Sequence, residues 1–360
     1  MEKKMNFHGS DLEKIQEVYG INKDEIISFS ANVNPLGVSP MLKTELAKKI
    51  DVITSYPDRD YTALRKSIGA YTHSNPDHIL VGNGSTELIS LMAHYLKPKK
   101  ALLLAPTYSE YEREIGLSGG KTDYFELKEI DDFVLDLASL KIALEAQYDL
   151  LVICNPNNPT SSALSSSVIS EILTECRRYH TFVMIDETYV EFAPDTNAVT
   201  AIPLAEEFDN FVVLRGVSKF FAAPGLRLGY AVTGNQELIH TVNEMKNPWS
   251  INSLAEQAGI IMYSDHNYIA NTRALMHREQ ERLYDILSAS ERFKAYKPSG
   301  NFILLKITDG TTADELFERA IREKMMIRNC ANFQFLDSSY IRFCFMLPEQ
   351  NDALISCLLS

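Results

Sequence analysis

"HILVGNGSTELISLMAHYLKPKKALLLA", residues 78–105, sets in succession an apolar run, a glycine-containing turn, a helix-length amphipathic stretch and a second apolar run. An unbroken aliphatic run suits a strand buried on both faces, as in a parallel sheet covered by helices. The same unit recurs downstream. "ALLLA" leads into a helical stretch over 108–117 and "LLVICN" into one over 165–178, while "TFVMIDE", "FVVLRG" and "RLGYAV" continue the strand series to residue 232. This alternation predicts an α/β fold, with a mostly parallel central sheet and helices on both faces. Helical periodicity then dominates 235–295, broken at "NPWSIN", and the tail from about 300 reads strand, helix, strand, helix. We expect a large α/β domain over 29–250 and a smaller α+β domain made of 1–28 and 251–360.

The chain's 360 residues, 45% of them hydrophobic, suffice for two such cores. With 35 basic against 48 acidic residues the formal charge is −13. That balance provides no positive footprint for nucleic acid or an anionic membrane surface, so any bound anion must be caught by a few placed residues. No apolar run has the length of a membrane span and "MEKKMNFHGSDLEK" lacks the apolar stretch of a signal peptide, so the expected location is the cytoplasm. The five cysteines form no CxxC pair and have no histidines at ligand spacing; they are expected to be reduced and mostly buried, with no metal site.

Three strands end in polar residues where their apolar runs stop: Asn155 to Asn158 after "LLVIC", Asp186 after "FVMI", and Lys219 shortly after "FVVL". In doubly wound sheets ligands bind beyond the carboxyl ends of the strands, so these residues are expected to converge. Lys219 stands in "VSKFF". A loop lysine more often snorkels to solvent. The alternative is a partly desolvated amine, kept neutral by burial and able to form a Schiff base with a carbonyl compound. Arg227, eight residues on in "APGLRLGY", has apolar neighbours, and a guanidinium entering a core needs a matching anion such as a phosphate. Asp186 is either a turn or cap residue or a buried carboxylate keeping a ring nitrogen protonated. "CNPNNPTSS" (154–162) is a turn-forming loop that also offers the Asn158 amide. In "VGNGSTELISLM" Glu87 stands where a dinucleotide fingerprint needs its third glycine, which argues against a nicotinamide site. The helix start at Ser85 and Thr86 still offers N–H groups and hydroxyls to a phosphate. Arg328 and Arg342 interrupt apolar patterns, either as structural ion pairs or to capture a substrate's carboxylate or phosphate.

In order and spacing these motifs resemble the fold type I pyridoxal-phosphate enzymes of the class I/II aminotransferase family, from about residue 29 to the C-terminus. The resemblance implies pyridoxal 5'-phosphate as cofactor. Lys219 would be the Schiff-base lysine, Asp186 the partner of the pyridine nitrogen, and Tyr189 and Asn158 the partners of the phenolic oxygen. Gly84, Ser85, Thr86, Ser218 and Arg227 would surround the phosphate, Tyr108 of "PTYSEY" would stack on the ring, and Tyr56 of "YPD" would reach the phosphate across a homodimer interface with shared active sites. Two positions depart from the pattern: Gly216 replaces a Ser or Thr expected on the phosphate, and Ser161 replaces the glycine after "NPNNPT". "HGS" at 8–10, "FSANVNPLG" at 29–37 and "IRNCANFQFLD" at 327–337 are most similar to the branch of histidinol-phosphate aminotransferases and threonine-phosphate decarboxylases. In that branch His8, Asn34, Gly37, Asn158, Arg328 and Arg342 would contact a small phosphorylated amino substrate. The resemblance leans to decarboxylation of L-threonine O-3-phosphate in the cobalamin side-chain pathway; the alternative is amino transfer between glutamate and imidazole-acetol phosphate in histidine biosynthesis.

Overall fold

The computed structural model describes residues 11–360. The six apolar runs become strands of a seven-stranded sheet, with β3 added: β1 Ile79–Gly82, β2 Lys100–Ala105, β3 Lys121–Glu126, β4 Leu150–Cys154, β5 Phe182–Asp186, β6 Phe211–Gly216 and β7 Gly229–Val232. Their order is β1-β7-β6-β5-β4-β2-β3. All neighbouring pairs are parallel except those of β7, which runs antiparallel to both β1 and β6. A parallel return normally runs through a crossover helix, and the segment between β6 and β7 holds only a loop and one helical turn; β7 folds straight back. Alternate side chains enter different cores. Leu103, Val152, Met184 and Val212 meet the helices Ser85–Leu96, Glu110–Leu117 and Gln236–Met245, while Leu102, Leu151, Val183 and Val213 face the opposite side with Ser166–Arg178. β3 escapes the sequence pattern because it is an edge strand: "KTDYFE" carries charge where an unpaired edge faces water.

The C-terminal third builds a four-stranded antiparallel sheet from β8 Phe293–Ala295, β9 Phe302–Ile307, β10 Arg328–Asn329 and β11 Tyr340–Cys344, in the order β10-β11-β9-β8. Helices Ala313–Arg322 and Pro348–Leu359 accompany it. The N-terminal segment joins this part through a short parallel pairing of Ile27–Ser28 with Met325–Met326. Helix Ser253–Ser264, grouped with the smaller domain on sequence, packs instead on Pro40–Ala47 and Thr62–Thr72. All five cysteines are buried and unpaired. Among the described residues no helix is long and apolar enough to cross a membrane.

Candidate active site

β4, β5 and β6 are adjacent and in register, with Cys154, Asp186 and Leu214 in one row, so their carboxyl ends open together onto a cavity of about 460 Å³. The expected convergence at the strand ends follows from this order. Ser85, Thr86, Tyr108, Asn158, Asp186, Tyr189, Ser218, Lys219, Arg227, Arg328 and Arg342 all line that cavity.

Asp186 is buried, and a buried carboxylate must find donors. Thr188 provides two to Oδ1, its backbone N–H at 2.9 Å and its hydroxyl at 2.5 Å, and the Tyr111 hydroxyl donates to Oδ2 at 2.7 Å. Tyr111 meets Tyr108 edge to face at 5.6 Å between centroids. Burial, with the nearby Glu110 and Asp186 carboxylates, pushes the Tyr108 phenol up to about 12. Burial also raises Tyr189, against the pull of Arg342 and an Asn32 hydrogen bond of 3.3 Å, so both phenols hold their protons at neutral pH.

Lys219 points into the cavity because its neighbours point away. Val217, Phe220 and Phe221 are buried, with Phe220 packed on Phe192 and Phe221 on Tyr263. The amine donates to the Ala31 carbonyl at 2.6 Å. Desolvation, then repulsion from Arg342, lowers its pKa to about 8, so a usable neutral fraction exists near neutrality.

The helix Ser85–Leu96 starts at the cavity floor and leaves its first N–H groups without intrahelical partners. Two glycines clear the approach. At Gly84, with φ +88, a β-carbon would lie 2.6 Å from Arg227 Nη2, and at Gly229 one would lie 2.7 Å from the Ser85 nitrogen. Arg227 differs from expectation. It does not enter a core but lies exposed in the loop before β7, its Nη1 donating to the Pro224 carbonyl at 3.0 Å, because the chain turns at Pro224–Leu226. At Gly216 a β-carbon would stand in ordinary contact, 3.5 Å from the Leu228 carbonyl and 3.7 Å from Ser85 Oγ, so the place of the missing hydroxyl is open rather than filled. Ser161 adopts the left-handed φ of +61 that a glycine would take, and its hydroxyl accepts from the Gly300 N–H at 2.9 Å. The loop keeps its turn.

Arg342 on β11 and Arg328 on β10 occupy paired positions across the antiparallel ladder. Arg342 donates to the Asn158 side-chain oxygen through Nη1 and to the Ser30 carbonyl at 2.7 Å through Nη2. Arg328 donates to Asn332 at 2.7 Å and lies 5.1 Å from the Phe333 ring; burial lowers its pKa. Among the described residues the side-chain partners of Arg342 are the Asn158 amide and the Ser30 carbonyl, neither of them a carboxylate.

Three expected residues lie elsewhere. The Asn34 side chain is turned away into the protein, on Phe220, Tyr268 and Thr272, and the Gly37 carbonyl accepts from Tyr268; neither lines the cavity. Tyr56 is 80% exposed and packs on Trp249 at 4.7 Å. His8 lies outside the described residues. Sequence reasoning missed Tyr111, Thr188, Thr107 and the segment Ser30–Asn32, which crosses the cavity. The only local signals were the second tyrosine of "PTYSEY" and the polar "SAN" within an apolar stretch.

Ser30 Oγ, Asn32 Oδ1, Thr107 Oγ1 and Arg342 Nε are buried cavity-lining atoms without a protein partner. Buried polar groups are normally satisfied, so these are places for a polar ligand. With an amine on one side, a braced carboxylate on another, an aromatic face and a helix start with free N–H groups, the donor set suits pyridoxal phosphate. This site, at the strand ends of a mostly parallel seven-stranded sheet, defines an enzyme of the fold type I pyridoxal-phosphate-dependent transferase or lyase class. The family model described as aminotransferase class I and II matches residues 24–358, and the chain belongs to that family. Threonine-phosphate decarboxylase of Salmonella typhimurium is 33% identical over 98% of this chain and 95% of its own length. The crystal structure of histidinol-phosphate aminotransferase from Clostridium acetobutylicum is 29% identical, with a TM-score of 0.85 over 92% of this chain and 97% of its own. That of L-threonine-O-3-phosphate decarboxylase from Porphyromonas gingivalis is 26% identical, with a TM-score of 0.79 over 92% and 97%.

Proposed function

We propose that this enzyme binds pyridoxal 5'-phosphate and decarboxylates L-threonine O-3-phosphate. The observation that carries the reading is the meeting of Lys219, Asp186, Arg328 and Arg342 on one cavity. When bound, the cofactor supplies an aldehyde that takes up amines and a protonated ring that draws electrons from the bonds at Cα. Asp186, held by Thr188 and Tyr111, would keep the proton on the ring nitrogen. Asn158 and Tyr189 would face the phenolic oxygen, Tyr108 the ring, and Ser85, Thr86, Ser218 and Arg227 the phosphate. The two arginines would receive the substrate's carboxylate and phosphate as fork-shaped donors. Lys219, with a pKa near 8, can take a proton and return it at Cα once carbon dioxide has left.

The second reading, amino transfer between glutamate and imidazole-acetol phosphate, is favoured by the likeness to the Clostridium acetobutylicum structure. The purified protein with pyridoxal phosphate should release carbon dioxide and aminopropanol phosphate from O-phosphothreonine. Glutamate formed from histidinol phosphate and 2-oxoglutarate, without carbon dioxide from phosphothreonine, would sink decarboxylation in favour of transfer.

We also infer a homodimer. Tyr56 and Trp249 are exposed and packed on each other, and an apolar groove lined by Val38, Leu42, Leu46, Ile50 and Leu226 also opens on the surface; a second copy would cover such apolar area, and Tyr56 would be the residue to reach its partner's cavity.

A further inference from the structure

Lys219 rests on an atom that its own loop does not provide. The Ala31 carbonyl, 188 residues away in sequence, accepts from its amine at 2.6 Å. That carbonyl belongs to the segment crossing the cavity, and the segment is tied down three residues later. The Asn34 backbone N–H donates to the Lys219 carbonyl at 3.1 Å. Its side-chain amide shares two N–H bonds among the Phe220 carbonyl at 2.8 Å, the Tyr268 hydroxyl at 2.9 Å and Thr272 Oγ1 at 2.9 Å. Its side-chain oxygen accepts from the Leu36 N–H at 3.1 Å, and the Tyr268 hydroxyl closes the knot on the Gly37 carbonyl at 2.7 Å. Asn34, Tyr268 and Thr272 are all buried, where each bond lost leaves a polar group unsatisfied.

From this knot we infer that Asn34 is a positioning residue for Lys219, fastening the 30–37 segment so that the Ala31 carbonyl holds the lysine amine in place whenever it is free. The assignment of Lys219 to catalysis rests on the function proposed above; the contact itself does not. A carbonyl acceptor favours the ammonium form, opposing the desolvation that favours the neutral amine. The other charged or titratable groups facing the amine are Arg342 and Cys344 of β11 and Asp186 of β5, and Asn34 bonds none of them.

The test is competitive acetylation of the full-length, cofactor-free chain with acetic anhydride across pH, read by mass spectrometry on the Lys219 peptide. Asn34→Ala should lower the Lys219 midpoint by about half to one pH unit, a part of what one charge-assisted hydrogen bond supplies. Tyr268→Phe, which keeps the ring stacked on Phe221, should shift it in the same direction with less risk to folding. An unchanged midpoint in both variants overturns the inference. So does an upward shift, which solvent entering a loosened cavity would give. Addition of pyridoxal phosphate to the wild type, followed by borohydride, separates the two ideas: no mass gained on Lys219 removes the cofactor reading, and the midpoint shift still decides the latch.

Discussion

Gly216 shows what one side chain contributes to the site. Its neighbours leave a β-carbon in ordinary contact, and a serine there would bring a hydroxyl beside Ser85 and the start of the helix. Gly216→Ser should therefore tighten pyridoxal phosphate binding roughly three- to tenfold, the worth of one added hydrogen bond, measured by equilibrium titration of the cofactor's absorbance. Weaker binding would mean that the cradle has no room for it. At this scale the sequence was informative wherever chemistry is local. "VSKFF" marks Lys219 because its flanking residues must be buried, and "IDETY" marks Asp186 and places its partner Thr188 two residues away. An asparagine in a loop carries no sign of which way its amide turns; for Asn34, Phe220, Tyr268 and Thr272 decide that.

Between the elements lies a buried polar cluster. Glu187, immediately after Asp186, accepts from Arg215 of β6 at 2.7 Å, and both are almost fully buried. Glu191, in the turn after β5, is buried near that pair, with Tyr71 of the helix Thr62–Thr72 at 3.4 Å, Arg215 of β6, Arg273 of the helix His266–Ser288 and Glu187 around it. Desolvation dominates, and the arginines only partly offset it, so its carboxyl is raised to about 7 from 4.5. The folded state thus prefers the protonated acid. Its contribution is fully present below about 4.5 and is lost as pH rises through about 7, amounting to roughly 3 kcal/mol. Glu191→Gln should melt higher than wild type above pH 7 and lose the difference near pH 4.5, as followed by thermal denaturation at a series of pH values. Parallel melting curves at every pH would show that Glu191 stays ionised in the fold. The same scale shows why element reading succeeded for the buried strands and failed at β3 and β10. Strands buried on both faces read as apolar runs, whereas β3 alternates and the two-residue β10 begins with an arginine that lines the cavity.

At the scale of the whole molecule stands the inferred second copy. If Tyr56 completes a partner's site, Tyr56→Ala and Lys219→Ala proteins should each be impaired alone, and after unfolding and refolding together they should regain up to about a quarter of wild-type activity through mixed dimers. No recovery, or sedimentation as a monomer, would place the whole site within one chain. What the sequence determined by itself was the strand series, the sheet's mostly parallel character and the identity of the residues at its polar ends, because burial on two faces and abrupt strand ends are written in neighbouring residues. Only the tertiary structure decided that β7 turns back, that Arg227 stands at the mouth rather than in a core, and that Ala31 and Asn34 hold the lysine. These depend on contacts between residues far apart in the chain, whose partners are fixed by packing rather than by spacing.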